Sequence, residues 1–453
     1  MNLRTFAWHA WLRARGNMLS HLESIRGWES FSPGEVESRQ NERLERFLAH
    51  AHRVVPYYGP ILEQAGVMTG AGVRLDRFTR VPLLDRATLR RRYQDLLAVG
   101  RENRGAFKNS SSGSTGEPVH FIQDREYKDW NQAVTATFDR WLGYEIGLPQ
   151  VRLWGSERDV TAQAGTIRGR AGRWLRNETW LSTFRMSPER MRRYVDDINR
   201  VKPIQIVGYV EGLNELARLI EREGLTVHAP TSVVTSAETL YRSARERISR
   251  VFRAPVINRY GSCEMGPVAS ESTRHEGLIV SAPTHYVEIL RPDGSPAAPG
   301  EIGEIVITLL TNFSMPLVRY RVGDLGAWQP PTQSHSPAWP GLLEVFGRTS
   351  DVLIADDGTR IHSNSLLFIF DPLDFVSRFQ IVQETTKKVI VSMILADSVP
   401  DPNRRFSGEL DSIVDAFRRA LGPGCEVAFD FVDEIPQTAS GKFRHVISKV
   451  AYG

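Results

Sequence analysis

The sequence predicts an α/β protein of two domains: a large N-terminal part of helix-flanked β-sheets with a β-barrel-like portion, then a small mobile α+β domain. Three observations lead there. At 453 residues the chain exceeds what one ordinary core holds, so two or more domains are expected. Between Met186 and Val234 a helical stretch (Ser187 to Val201) leads through Pro203 to the apolar run Ile204 to Tyr209. A second helix from Glu211 and the run Thr231 to Val234 follow, the alternation that builds a parallel sheet. After Pro299 the runs Ile305 to Leu310 and Pro316 to Tyr320 are short and separated by turn residues, which indicates a partly antiparallel region.

Taken in chain order, Met1 to Leu19 sets Phe6, Trp8, Trp11 and Leu12 among Arg4, Arg13 and Arg15. This spacing predicts a capping helix, with a membrane-surface helix as the alternative, and it lacks the unbroken apolar core of a secretory signal. Leu44, Phe47, Leu48, Ala51 and Val54 keep a helical period that Pro56 stops, and Pro82 to Leu97 repeats the pattern behind Asp85 as N-cap. Pro330 to Pro340 is expected to be an exposed loop. Gly347-Arg348 marks a joint. Beyond it come a strand (Val352 to Ala355), the Asp356-Asp357-Gly358 turn, a strand near Val389 to Leu395 and a helix over Glu409 to Leu421. The expected domains are residues 1–346 and 347–453.

Composition narrows the function classes. With 57 basic and 53 acidic residues the formal charge is only +4, so nothing demands a nucleic-acid partner. Cys263 and Cys425 provide no disulfide framework and no Cys-x-x-Cys metal set, which fits a reducing compartment, the cytoplasm. Val389 to Ala396, the longest apolar run, is strand-sized, far short of the roughly 18 residues that span a bilayer, so no transmembrane segment is expected.

The most informative stretch is Ser110-Ser111-Ser112-Gly113-Ser114-Thr115-Gly116-Glu117-Pro118. Two glycines permit close backbone approach, and hydroxyls with N–H groups can surround a polyphosphate; a flexible Ser/Gly linker is the alternative. The glycine-lysine-hydroxyl ending of a Walker loop is missing. Glu264, in Tyr260-Gly261-Ser262-Cys263-Glu264, is a lone loop carboxylate, which by itself reads as a solvated charge. Asp324, after Gly323, reads by itself as an Asp that caps a turn.

The Ser110–Pro118 stretch resembles the phosphate-binding loop of the adenylate-forming superfamily of acyl-CoA synthetases, luciferases and peptide-synthetase adenylation domains, and other elements follow in the expected order. Ser236-Ala237-Glu238 resembles the loop beside the adenine, Asn258 to Glu264 the Tyr-Gly-x-x-Glu element, and Arg319 to Asp324 the ribose-binding element. Gly347-Arg348-Thr349-Ser350-Asp351 resembles the hinge element, and Pro436 to Lys442 the last element with its lysine. The resemblance implies ATP as substrate and Mg2+ held by Glu264. It implies phosphate binding by Ser111, Ser112, Gly113, Ser114, Thr115 and Gly116, and adenine and ribose contacts from Ala237, Glu238, Arg259, Tyr260, Gly261 and Asp324. Lys442 and Arg348 would be catalytic, Lys442 bridging the attacking carboxylate and the α-phosphate. Trp154, Gly208 and Tyr209 fall where the acid-binding strands lie. Within the superfamily, Arg43 to Leu48, Val55 to Tyr58 and Val81 to Asp85 are similar to phenylacetate–CoA ligases. Asp357 to His362 and Ser440 to Arg444 look closer to the capsular-polysaccharide-associated, coenzyme F390 synthetase-like subgroup.

The implied activity is ATP-dependent activation of a small-molecule carboxylic acid, then acyl transfer to CoA or a carrier-protein thiol. Glu117, Ser114 and Ser350 depart from the commonest residues of the family. Ile354 to Gly358 does not reproduce the glycine pattern that CoA-using ligases present to the pantetheine. An amine or hydroxyl acceptor is therefore the alternative, and a catalytically silent nucleotide-binding protein the second. The Arg168, Arg170, Arg173 and Arg176 run is expected to be a solvated loop, or a surface for an anionic partner. A homodimer is compatible with the resemblance and demanded by no residue.

Overall fold

The computed structural model describes residues 16–111, 119–155, 167–184, 186–330, 337–348, 352–362, 366, 369–370, 373, 375–395, 399–436 and 445–450. The centre is one sheet of eleven strands. Its parallel half runs from the edge through Glu178–Leu181, Gln150–Leu153, Gln205–Tyr209 and Ser232–Ser236 to Val256–Ser262. There the direction reverses. Gly266–Glu271, Leu278–Val280, Gly341–Arg348, Tyr320–Trp328, Gly303–Leu309 and His285–Leu290 continue it antiparallel. The antiparallel region expected after Pro299 is thus joined edge to edge to the parallel part.

Side-chain alternation gives the parallel half two unlike faces. Val151, Leu153, Ile206, Val233 and Val256 point into a core shared with three helices, Pro188–Val201, Val210–Glu223 and Arg242–Phe252. The first of these starts at Ser187, whose hydroxyl accepts from Arg190 N–H, with Pro188 at the first helical position. The opposite face carries Gln150, Arg152 and Trp154 on one strand, Gln205, Val207 and Tyr209 on the next, then Ser232, Val234 and Ser236. The Arg125–Trp141 helix lies over that side, its N-terminus capped by Asp124 and its flank packed on Met18–Trp28.

An N-terminal helical layer covers the antiparallel half. The long helix Pro33–Val54 begins with a capping box: Ser32 N–H donates to Glu35 at 2.8 Å and the Ser32 hydroxyl accepts from Glu35 N–H. Arg319 fastens this layer to the sheet. Its guanidinium bonds both Glu288 oxygens, at 3.0 and 2.9 Å, and the carbonyls of Thr79 and Val81 at 2.6 Å.

Two expectations are corrected. The Arg168–Arg176 segment belongs to a helix, Ile167–Arg176, not a loop. Arg173 lies over the Trp180 ring and Arg176 faces Glu178 at 3.4 Å, so these arginines are held by the strand that follows the helix. Within Pro330–Pro340, Trp339 is buried rather than exposed: its indole N–H donates to Trp28 carbonyl oxygen at 3.2 Å and its ring meets Trp141. Residues 331–336 lie outside the described part.

The C-terminal region forms a separate four-stranded sheet ordered Glu426–Phe431, Lys388–Leu395, Val376–Thr385, Val446–Ser448, with the Ser407–Leu421 helix packed on it through Leu410, Ile413, Phe417 and Leu421. A small hairpin, Val352–Ile354 with Arg360–His362, carries the Asp356-Asp357-Gly358 turn. Among the described residues no helix is long and apolar enough to cross a membrane.

Candidate active site

The strands Phe107–Ser111 and Val119–Gln123 pair antiparallel, with Ser111 opposite Val119, so the Ser/Gly stretch connects the tips of a hairpin. Ser112, Gly113, Ser114, Thr115 and Gly116 themselves lie outside the described residues. The Ser111 hydroxyl is buried with no hydrogen-bond partner among the described residues, as expected of a group awaiting a polar ligand. The hairpin base is rigid. Asn109 donates to Gln123 and Gln123 donates to Cys263 carbonyl oxygen, each at 2.9 Å, tying this hairpin to the turn that carries Glu264.

That turn joins Val256–Ser262 to Gly266–Glu271, the point where the sheet changes from parallel to antiparallel. Gly266, at φ +76°, is pressed against Asn131, leaving no room for a Cβ. Glu264 is buried, and its Oε1 has no hydrogen bond among the described residues; Arg86 Nη2 stands 3.7 Å away. A buried carboxylate with an unused oxygen needs a positive partner. The Arg86 contact offers one. A divalent cation offers another, and one carboxylate with phosphate oxygens and waters meets the oxygen preference of Mg2+. The residues therefore fit the metal. Arg86, next to Asp85 on the Arg86–Arg91 helix, was not singled out from sequence: an arginine at a helix start carries no motif, and only the fold brings it to Glu264.

Tyr260, Asp324 and Arg348 converge. Asp324 and Arg348 are direct partners across the Tyr320–Trp328 and Gly341–Arg348 strands, and Arg348 Nε lies 3.8 Å from Asp324 Oδ1. Tyr260 hydroxyl donates to Asp324 Oδ2 at 2.8 Å. Burial, reinforced by the Asp324 charge, pushes the Tyr260 hydroxyl far up, so it stays a protonated donor. Gly347-Arg348 thus ends a strand of the main sheet. Residues 349–351 lie outside the described part.

Ala237 follows the parallel strand Ser232–Ser236 with φ +72°, a backbone state a non-glycine residue adopts at a cost, found often at ligand sites. Beside it the Glu238 carboxylate accepts from Glu211 N–H at 2.9 Å, at the start of the Val210–Glu223 helix, and Ser236 hydroxyl donates to Arg259 carbonyl oxygen. The Arg259 side chain goes elsewhere than the ribose element: it pairs with Asp139 of the Arg125–Trp141 helix at 2.7 Å, on the other side of its strand from Tyr260. Gly261 packs on Gly266. Trp154 and Tyr209 meet in a tilted contact, 4.4 Å between ring centroids, at the carboxyl ends of adjacent strands, and Gly208 is held against Leu213 and Leu153.

Lys442 lies outside the described residues. Its segment starts after Pro436 and returns at His445. His445 faces Glu211 at 3.8 Å, and Arg378 reaches Glu211 and Glu215, so the segment's far end is anchored on the helix that Glu238 caps. Also missed from sequence was Asp124. It caps the Arg125–Trp141 helix and accepts from the backbone of Phe313 and Ser314, and burial pushes its carboxyl up.

A hairpin bearing the Ser/Gly stretch, a buried lone carboxylate and an Asp-Tyr-Arg cluster stand together at the turning point of the sheet, an arrangement in keeping with the adenylate-forming ligases that the sequence resembles. Comparison with known proteins agrees. The chain is similar to 2-hydroxyisobutyryl-CoA ligase, solved in its postadenylation state with 2-HIB-AMP, with a TM-score of 0.72 at 19% identity over 91% of this chain and 89% of that one. Residues 353–449 match the CapK C-terminal domain family. The chain is 23% identical to Protein CapK of Staphylococcus aureus over 91% of this chain and 89% of the relative. It is 25% identical to phenylacetate-coenzyme A ligase of Thermus thermophilus over 92% and 98%. Over nearly its whole length the chain is thus similar to CapK and to phenylacetate–CoA ligase, and in fold to an adenylate-forming CoA ligase.

Proposed function

We propose that this protein uses ATP to convert a carboxylic acid to an acyl-adenylate, releasing pyrophosphate, and then passes the acyl group to a thiol, that of CoA or of a carrier protein. The observation that carries this reading is the convergence of Tyr260, Asp324 and Arg348 beside buried Glu264. The names and bound intermediates of the relatives support it: phenylacetate-coenzyme A ligases and a CoA ligase holding an acyl-AMP.

In this reading Asp324 receives the ribose hydroxyls while Tyr260 fixes its carboxylate, since an ionised carboxyl has lone pairs for both. Ser111 and the segment 112–116 cradle the phosphates. Glu264 would hold Mg2+, which supplies charge neutralisation on the phosphate oxygens when bound. The acid carboxylate attacks the α-phosphorus in line; the C–O–P bond forms as the bond to pyrophosphate breaks. Lys442 and Arg348 place positive charge where it accumulates, a type of pre-placed contact worth about 10²–10³ in rate. The small domain, residues 347–453, then turns about the joint to admit the acceptor.

A second reading, transfer to an amine or hydroxyl, is favoured by one feature. The turn of the Val352–Ile354 hairpin presents Asp356 and Asp357, both exposed, instead of the glycines expected toward pantetheine. Pyrophosphate release across a panel of acids, with and without CoA, in wild type and Lys442→Ala, tests the proposal. Acid- and Lys442-dependent release is expected, with thioester forming when CoA is present. Release indifferent to acid and to Lys442 contradicts it.

A further inference from the structure

We infer that the acid taken by this protein is hydrophilic, its body carrying several hydroxyl or amide groups; the inference rests on the adenylation reading above. A cavity of about 760 Å³ opens between the Arg125–Trp141 helix, the Ser262–Gly266 turn and the sheet. The turn that holds Glu264 forms one wall through Ser262, Cys263 and Gly266, so the space adjoins the nucleotide site. It is in the range of small-molecule pockets, which are usually lined mainly by apolar and aromatic side chains.

The wall of this cavity is of mixed polarity, with many polar side chains beside its apolar surface. Of its 22 lining residues, six are charged, five are carboxamides and four carry hydroxyls. The helix stripe that faces it is Lys128, Asn131, Gln132, Thr135, Ala136 and Asp139, spaced three and four apart, where an inward face would ordinarily be hydrophobic. The sheet answers in kind. Gln150 donates to Gln205 at 2.7 Å and Gln205 to Ser232 at 3.3 Å, a buried polar row on the side toward this helix. Asp139 and Arg259 form a buried ion pair across the gap at 2.7 Å, and Arg152 meets Glu178 at 3.4 Å.

An aryl or alkyl group in this space would displace water from the accessible Lys128, Asn131 and Gln132 and return no hydrogen bonds to them. Hydroxyls or amides on the ligand would restore those bonds. A site built on such bonds discriminates far more sharply against an analogue that lacks them than an apolar pocket discriminates by size.

The test uses 5′-O-acylsulfamoyl-adenosines, which keep the nucleotide and change only the acyl part: gluconoyl for hydroxyls, N-acetylasparaginyl for amides, and phenylacetyl as the apolar control. Affinities are measured by calorimetry on the full chain, wild type, Asn131→Leu and the milder, half-exposed Gln132→Leu, with circular dichroism to verify folding. At least one hydrophilic analogue is expected to bind about tenfold or more tighter than phenylacetyl, with the margin shrinking below threefold in the leucine variants. The arm that wins separates hydroxyl from amide recognition. Phenylacetyl binding equal or tighter in wild type, or a margin untouched by both substitutions, overturns the inference while nucleotide-dependent binding leaves adenylation standing. No binding of any analogue or of sulfamoyladenosine overturns both.

Discussion

Replacing Tyr260 by phenylalanine removes one hydroxyl and keeps the ring, which makes it a clean probe of the nucleotide site. The hydroxyl donates to Asp324 Oδ2 at 2.8 Å from a buried position, and Asp324 also faces Arg348 at 3.8 Å. A hydrogen bond to a charged acceptor contributes about 1.5–3 kcal/mol, and its loss leaves a carboxylate oxygen short of a donor at low dielectric. At about 1.4 kcal/mol per tenfold, kcat/KM for ATP should fall by about 10–150-fold. In the proposed reading Tyr260 orients the ribose ligand and does not touch the reacting phosphorus, so most of the loss should appear in KM. The assay is steady-state pyrophosphate release with ATP varied at saturating acid, with urea unfolding measured on the same variant. A change under twofold in both kinetic constants would refute the assignment of Asp324 and Tyr260 to the ribose.

Three other outcomes follow from the same geometry. Glu264→Gln removes the charge but keeps the shape, so the Mg2+ concentration for half-maximal activity should rise by about tenfold or more, measured by metal titration at fixed ATP; an unchanged titration would place the metal elsewhere. Burial holds His285 down to about 4 from 6.5, with Nε2 bonded to Met265 carbonyl oxygen next to Glu264. A depressed histidine contributes stability that is full above about 6.5 and lost as pH falls toward 4. Roughly 2 kcal/mol should therefore disappear between pH 8 and 5 in urea unfolding, and a His285→Gln variant should lose that dependence. Burial pushes Glu211 up, but the His445 hydrogen bond and the charges of Arg378 and Arg218 hold it down to about 2. Its contribution is present above about 4.5 and lost as pH falls toward 2. Glu211→Gln should weaken docking of the small domain by about 3 kcal/mol, read as a lower transfer efficiency between fluorophores on the two domains.

Much of the fold was legible because it is written in periodicity. The Met186–Val234 alternation became helix, strand, helix, strand of the parallel half, and Ile305–Leu310 became an antiparallel strand of the same sheet, whereas Pro316–Tyr320 did not: the strand there begins only at Tyr320 and runs to Trp328. Motif residues that act through backbone position were legible too: Asp324 and Arg348 are strand partners, and Tyr260 reaches them from the turning strand. Lone side chains brought in by the fold were not. Arg86 beside Glu264 and Asp124 beneath the phosphate hairpin have no local signature, and Arg259 alternates away from Tyr260, so its motif membership did not reveal that its partner is Asp139. Trp339 was misjudged because proline and serine neighbours dominate its local composition, while its burial depends on Trp28 and Trp141, far away in sequence.

The central claim is that ATP is split at the α-phosphate on behalf of a carboxylic acid. Phosphorus-31 spectroscopy of the products formed with ATP, Mg2+ and a hydroxylated acid tests it most directly. The account predicts AMP and pyrophosphate in equal amounts, lost in Lys442→Ala; ADP with inorganic phosphate, or AMP formation that proceeds without acid, would contradict it.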